Sequence, residues 1–466
     1  MAAPRSVARG TRVFLILLAL ALLALLPLGT ASAATPSYRF THVATLGGPA
    51  PDHGSFDSNF QPYGLNARGE VAFVAATLPE WGEGVFAGRP GQLRQILRVG
   101  QPAPGGGAFG GFGSLGHSVI NDAGDIAVAF TLEPFTLPIG ANSGVYRSRH
   151  ATGALDALVV PYVTPAPGGG TFQGTGFHAS LNNRGVIVFP GIIETADGIH
   201  IGGQPYLGLG LGIFHIDKQG RITSVVSPGD AAPGGGRFDY ATAPWLNDRG
   251  DIAFGGHVAG EECIDFGVTQ DVIIHCGESV YLRQLFPTRL ISIAHQGQPA
   301  PGGGIYRLAF GPRLNNRGEV AFIGDLTPAP ASLEQLGVFL YSKGTTRAIA
   351  RPGDVMPGGG TMVTAATAPL AYHLNNRGDV SFAASLDTDG NGSADAAGLY
   401  VAGQNGLQLV ARTGTVIPGV GTIDYFSFPG DTSLVTFAGA VIGDNGQVFF
   451  QATLTDGRGV LLVAKP

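Results

Sequence analysis

Along most of the chain, apolar and small or polar residues alternate in runs of four to eight. Val71-Ala72-Phe73, Ile252-Ala253-Phe254 and Val320-Ala321-Phe322 each open such a run, and each follows a Leu-Asn-x-x-Gly turn. A period of two over that length predicts β-strands, and no amphipathic stretch of period 3.6 stands outside the N-terminal segment. The sequence predicts an all-β protein.

The turn recurs. Asn66, Asn121, Asn182, Asn247, Asn315 and Asn375 head six copies of Leu/Ile-Asn-x-x-Gly, and a worn seventh reads Ile442-Gly443-Asp444-Asn445-Gly446. Asn can bond the backbone two residues on, and the Gly accepts a positive φ that a Cβ would resist. Pro-Gly-Gly-Gly turns begin at Pro104, Pro167, Pro233, Pro301 and Pro357, with degenerate copies at Pro51 and Pro418. The two marks alternate strictly, and the repeat averages about 61 residues. Four strands fit each period: Pro-Gly to Leu-Asn (Phe238 to Leu246), the Val-Ala-Phe run, a Gly-Val-Phe element (Gly337-Val338-Phe339), and a last strand such as Thr346 to Ala350.

The last repeat runs out after Gly459-Val460-Leu461 and lacks a fourth strand, while Tyr38 to Leu46 is an orphan fourth strand before the first Pro-Gly turn. The orphan fills the gap if the array closes, and closure removes exposed sheet edges; an open solenoid would want capping repeats instead. The expectation is a seven-bladed β-propeller with four-stranded blades, its ring closed by the N-terminal strand completing the last blade.

From Pro51 to Leu461 these copies resemble the bacterial "choice-of-anchor" tandem-repeat proteins, with their Asn-x-x-Gly…Ala-Phe motif. The resemblance implies an exported protein with a variable C-terminal sorting signal, though no anchor is recognisable here. It brings no activity to any residue.

The N-terminus supports export. Arg5, Arg9 and Arg12 precede an uncharged apolar run from Val13 to Leu28, and Ala31-Ser32-Ala33 is a small-residue cleavage signal. We expect a signal peptide over 1–33, one propeller domain over 34–466, no membrane span after cleavage, and a secreted, extracellular or periplasmic monomer; an uncleaved anchor is the alternative. Residues 1–33 hold three Arg and no acid, so the remainder carries 24 cationic against 33 anionic side chains, a net −9. That charge argues against nucleic acid as a partner. Charged residues are 13% and hydrophobic ones 44%, enough for a large core.

Candidate chemistry lies where the repeat is broken. His117, His178, Tyr240, Trp245, Arg313, Tyr372 and His373 stand on first-strand segments, where other copies carry small residues such as Gly64, Ala371 and Gly439. The first strand is expected to line the central channel. Rings stack on sugar faces and Arg pairs with carboxylate, so a glycan is the expected ligand, with an extracellular protein as the other partner class. Packing between blades is the alternative for these side chains. Asp387, Asp389, Asn391, Ser393 and Asp395 alternate in a hairpin loop, 387–395, with Gly at 392, and suit a structural Ca²⁺; Gly398 stands where a bidentate Glu would be. An insertion over 255–277 in the fourth repeat carries Cys263 and Cys276, which could close a disulfide flap in an oxidising compartment. The Gly triplets lack the Lys-Ser/Thr of a phosphate loop, and neither His-Glu-x-x-His nor Gly-x-Ser-x-Gly occurs. Two readings stay open. One is a binding propeller for a glycan or cell-envelope component. The other is a polysaccharide-active lyase or hydrolase at the channel mouth, with His117, His178 or a Tyr as base and Arg313 neutralising a uronate.

Overall fold

The structure is a computed structural model. It describes residues 38–466 except 52–53, 59, 80–81, 111–117, 134–141, 177, 195–198, 202–203, 207–208, 262–277, 328–334, 367–370, 431–433 and 436–437. The expected signal peptide, His117, Cys263 and Cys276 lie outside the described residues.

Seven antiparallel blade sheets follow one another along the chain, one to a repeat, and a separate two-stranded sheet, Ile199–Ile201 with Gln204–Tyr206, stands within the third repeat. The fourth is the plainest. Its strands Phe238–Leu246, Ile252–Val258, Ser279–Gln284 and Arg289–Ala294 pair in that order. The last sheet takes its fourth strand from the other end of the chain. Arg39–Thr45 pairs antiparallel with Gly459–Lys465, Arg39 facing Lys465 and Thr45 facing Val460. The molecule is a seven-bladed β-propeller closed by its N-terminal strand. The described residues contain no helix and form one unit.

The alternation in the second strands is large against small rather than apolar against polar. In Val71–Leu78, Val71, Phe73 and Ala75 pack with Phe449 and Leu461 of the seventh blade, while Val74 packs with Phe130 and Tyr146 of the second. Each second strand is thus buried on both faces, and the core is a set of layers between neighbouring blades. The motif aromatics meet across the second and third strands of one blade, with ring centroids 5.6 Å apart for Phe73 and Phe86 and again for Phe322 and Phe339. The Gly of Gly-Val-Phe makes room for them. A Cβ on Gly84 would lie 3.1 Å from the Phe86 ring, and one on Gly337 would lie 3.0 Å from Phe339. A register shift recurs at this position where the third and fourth strands pair in all seven blades, beside the aromatic in six and beside Leu461 in the seventh.

Both turn types have the geometry their residues suggest. The three glycines of each full Pro-Gly turn hold φ between +66° and +116°, for example at Gly168 and Gly170. Two points differ from the sequence expectation. The first strand is continuous in the fourth and fifth blades but broken elsewhere, as in the sixth, where it splits into Thr361–Ala365 and Tyr372–Leu374. The break or bulge falls about three residues before the Leu-Asn turn, where Gly311 and Gly439 hold φ of +64° and +62°. The fourth-blade insertion also begins later than Gly255. Gly255 and Gly256 continue the second strand, facing Thr242 and Ala241, so the departure from the repeat starts at Ala259.

Candidate functional site at the channel mouth

Antiparallel alternation puts every Leu-Asn turn at one end of its blade. The seven turns meet there around a cavity of about 130 Å³, to which all seven blades contribute.

The Asn of each motif does more than start its own turn. Asn247 accepts the Arg249 and Asp251 N–H groups at 3.0 and 2.9 Å. Its amide donates to Asp251 Oδ2 and, across the blade boundary, to the Asn315 carbonyl, each at 3.0 Å. The Arg249 guanidinium then pairs with Asp251 at 2.7 Å. The cross-blade bond recurs from Asn66, Asn121, Asn182, Asn315 and Asn375 to the next turn. A second circle runs one residue further on. The N–H groups of Ala67, Asp122, Asn183, Asp248, Asn316 and Asn376 each donate to the side-chain oxygen at that position in the following blade, at 2.7 to 2.9 Å. Both circles have six links. The seventh would run from blade seven to blade one, where Gly443 has no amide to give and Ala67 no oxygen to accept.

The rim therefore presents three carboxylates, Asp122, Asp248 and Asp444, interleaved with three amides, Asn183, Asn316 and Asn376. Asn183 Nδ2 bridges Asp122 and Asp248 at 3.0 and 3.2 Å. The rim was legible only as the polar residue after five of the six motif Asn residues and at Asp444, which the sequence reading left without a role.

Next to the rim the structure gathers five of the expected channel residues. Trp245 and His373 line the cavity. Their rings meet edge to face at 5.4 Å, and His178 meets Trp245 at 6.1 Å. The Arg313 guanidinium lies 4.6 Å from the Trp245 ring centre and 5.3 Å from that of Tyr372. Arg313 is only 2% exposed and donates to the Pro312 carbonyl at 3.2 Å. Tyr372 Oη donates to the Gly311 carbonyl, which fixes the phenol against the neighbouring blade. Burial, with Arg313 beside it, pushes His373 down to about 3 and His178 well below the usual imidazole range. Burial pushes the Tyr372 phenol up. The two imidazoles are neutral near pH 7, and Arg313 supplies the positive charge of the cluster.

Tyr240 is not part of it. Five residues before Trp245 on the same strand, it stacks on His257 at 5.5 Å, and His257 Nδ1 lies 3.1 Å from Asp239. His257 falls within the stretch expected to be an insertion, 255–277, and neither it nor Asp239 stood out in the sequence.

The Asp387 loop is closed on itself. Asp387 accepts the Gly390 and Gly392 N–H groups at 2.7 and 2.8 Å, and Asp395 accepts the Thr388 N–H and hydroxyl at 2.9 and 2.7 Å. The Gly392 bond first among these holds the Asp387 carboxyl below its ordinary range, and the Thr388 hydroxyl does the same for Asp395. Among the described residues no group of three or more His, Cys, Asp or Glu side chains is gathered to hold a metal ion.

Among solved structures, the chain is similar to an oligogalacturonate lyase of Vibrio parahaemolyticus: 11% identity, TM-score 0.49, covering 92% of this chain and 97% of that one. It is also similar to the β-propeller domain of the Trilobed protease of Pyrococcus furiosus: 9% identity, TM-score 0.47, covering 88% and 95%. Likenesses at this level say nothing about chemistry. A comparison with curated protein sequences finds no match. A family model does match, over residues 34–465, nearly the whole chain: the protein belongs to a family of unknown function, DUF7453.

Proposed function

We propose that this is an exported, non-catalytic recognition propeller that takes the end of a glycan into the channel mouth. One observation carries the reading. Residues that break the repeat in four consecutive blades, His178, Trp245, Arg313, Tyr372 and His373, converge beside a polar rim enclosing a cavity. A concave site with a few convergent polar groups and an aromatic wall is the ordinary form of a small-ligand pocket. The rim offers carboxylate and amide oxygens to sugar hydroxyls, and Trp245 offers an apolar surface.

The cluster suits binding better than proton transfer. A general base works best with a pKa near the operating pH. His373, at about 3, is far too weak, and His178 is pushed the same way. Arg313 is held between two rings rather than presented to solvent.

A glycan array probed with the purified mature protein tests the reading. Selective binding that His373→Ala weakens at least tenfold, with no cleavage product, is the expected result. Turnover of any polysaccharide would transfer the site to the enzyme reading, and absence of binding to every glycan would remove both.

A further inference from the structure

A second concave surface lies away from the channel, between the outer strands of the third and fourth blades. It encloses about 330 Å³. Val225 of the strand Ile222–Val226 and Leu290 are its half-buried apolar residues, packed over the buried Val226 and Phe238, and Arg283 and Arg289 stand beside them. Neither guanidinium meets a carboxylate at ion-pair distance among the described residues. The acid in the wall, Asp230, accepts the Ser227 N–H at 2.8 Å. Most motif arginines, by contrast, are neutralised in place, as Arg249 is by Asp251 and Arg377 by Asp379. The groove is thus a positive spot on a chain of net negative charge.

Two further features say what fits it. Among the described residues Ile222–Val226 is the last strand of its sheet, and its outer edge pairs with no strand. The turn joining the fourth blade's outer strands exposes Phe286 at 85% beside Leu285. An unpaired strand edge supplies backbone donors and acceptors in the spacing of a polypeptide, and the half-buried Val225 and Leu290 can take apolar side chains. A polysaccharide would use the arginines but neither the edge nor the wall.

We infer that this groove docks an extended acidic segment of a partner protein, added as a strand along Ile222–Val226, its carboxylates on Arg283 and Arg289 and its apolar side chains against Val225 and Leu290. This contact is independent of the channel site.

Fluorescence anisotropy with the mature protein and a labelled peptide of alternating Glu and Val tests it. Saturable binding is expected, weakened by salt and at least tenfold by Arg283→Glu with Arg289→Glu. The matching Lys/Val peptide should not bind. Arg347→Glu, on the equivalent outer strand of the fifth blade, should change nothing. Should the double reversal lower the Tm, Arg289→Ala alone is read, with a smaller loss expected. The inference is overturned if the Glu/Val peptide does not bind, if charge reversal leaves binding intact, or if an alginate oligomer binds through these arginines where the peptide does not.

Discussion

Ala243 adopts φ +47°, the left-handed conformation that its counterparts in the fifth and seventh blades meet with Gly311 and Gly439. A Cβ there costs about 1 kcal/mol or more. Ala243→Gly should therefore raise stability by up to about 1 kcal/mol in denaturant melts, offset in part by the looser unfolded chain. The residue two positions on is Trp245, so the strained site aims the cavity's aromatic wall. The histidines give the sign of a pH effect. Unfolded, His178 and His373 take a proton near 6.5; folded, His373 does so only near 3 and His178 well below its usual range. Between those values the unfolded chain binds more protons. Their contribution is complete above about pH 6.5 and falls as pH drops below it, by up to about 1.4 kcal/mol per pH unit for each ring, the His373 part continuing down to about pH 3. Thermal melts across that window should show the loss, and His178→Asn with His373→Asn should flatten it. Arg313→Met removes the charge beside His373, so its pKa, followed by NMR, should rise above 3. The types of these side chains were plain in the sequence. Their convergence was not, because it depends on how consecutive blades turn about a common axis.

At the scale of the element, the Leu-Asn-x-x-Gly motif is a clasp between blades as well as a turn. The sequence showed the intra-turn half, since Asn and Gly have local reasons to sit there. The other half joins residues about 61 positions apart and leaves only a faint trace, an oxygen-bearing side chain after the motif Asn. Ala67 is the exception, at the seam between the last and first blades. Ala67→Asn should supply the acceptor that the Asp444 N–H lacks and raise stability by about 0.5–1.5 kcal/mol. Asn247→Ala should do the reverse on a larger scale, because it leaves buried turn donors and the Asn315 carbonyl short of partners. A loss of about 2–4 kcal/mol is expected from four missing bonds. Tyr240 shows the limit of reading elements from sequence. It shares a strand with Trp245, yet it sits further from the turn and belongs to the His257 and Asp239 group.

For the molecule as a whole, the seven blades and their closure followed from counting two interleaved marks and one strand missing at one end and spare at the other. Closure sets a size effect: deleting 39–45 removes the strand that completes the seventh blade and exposes the edge of Gly459–Lys465, and should lower the Tm far more than any point substitution here. Function was less legible, because the channel mouth is assembled from all seven repeats and no single stretch displays it. The proposal that a glycan enters this mouth can be tested at its wall. The chain has two tryptophans, Trp81 and Trp245. With Trp81→Phe, emission reports on the cavity wall alone, and titration with the best glycan from the array should change it saturably, an effect that His373→Ala weakens. An emission that does not respond while the glycan binds would place the ligand elsewhere and rule out the channel mouth as its site.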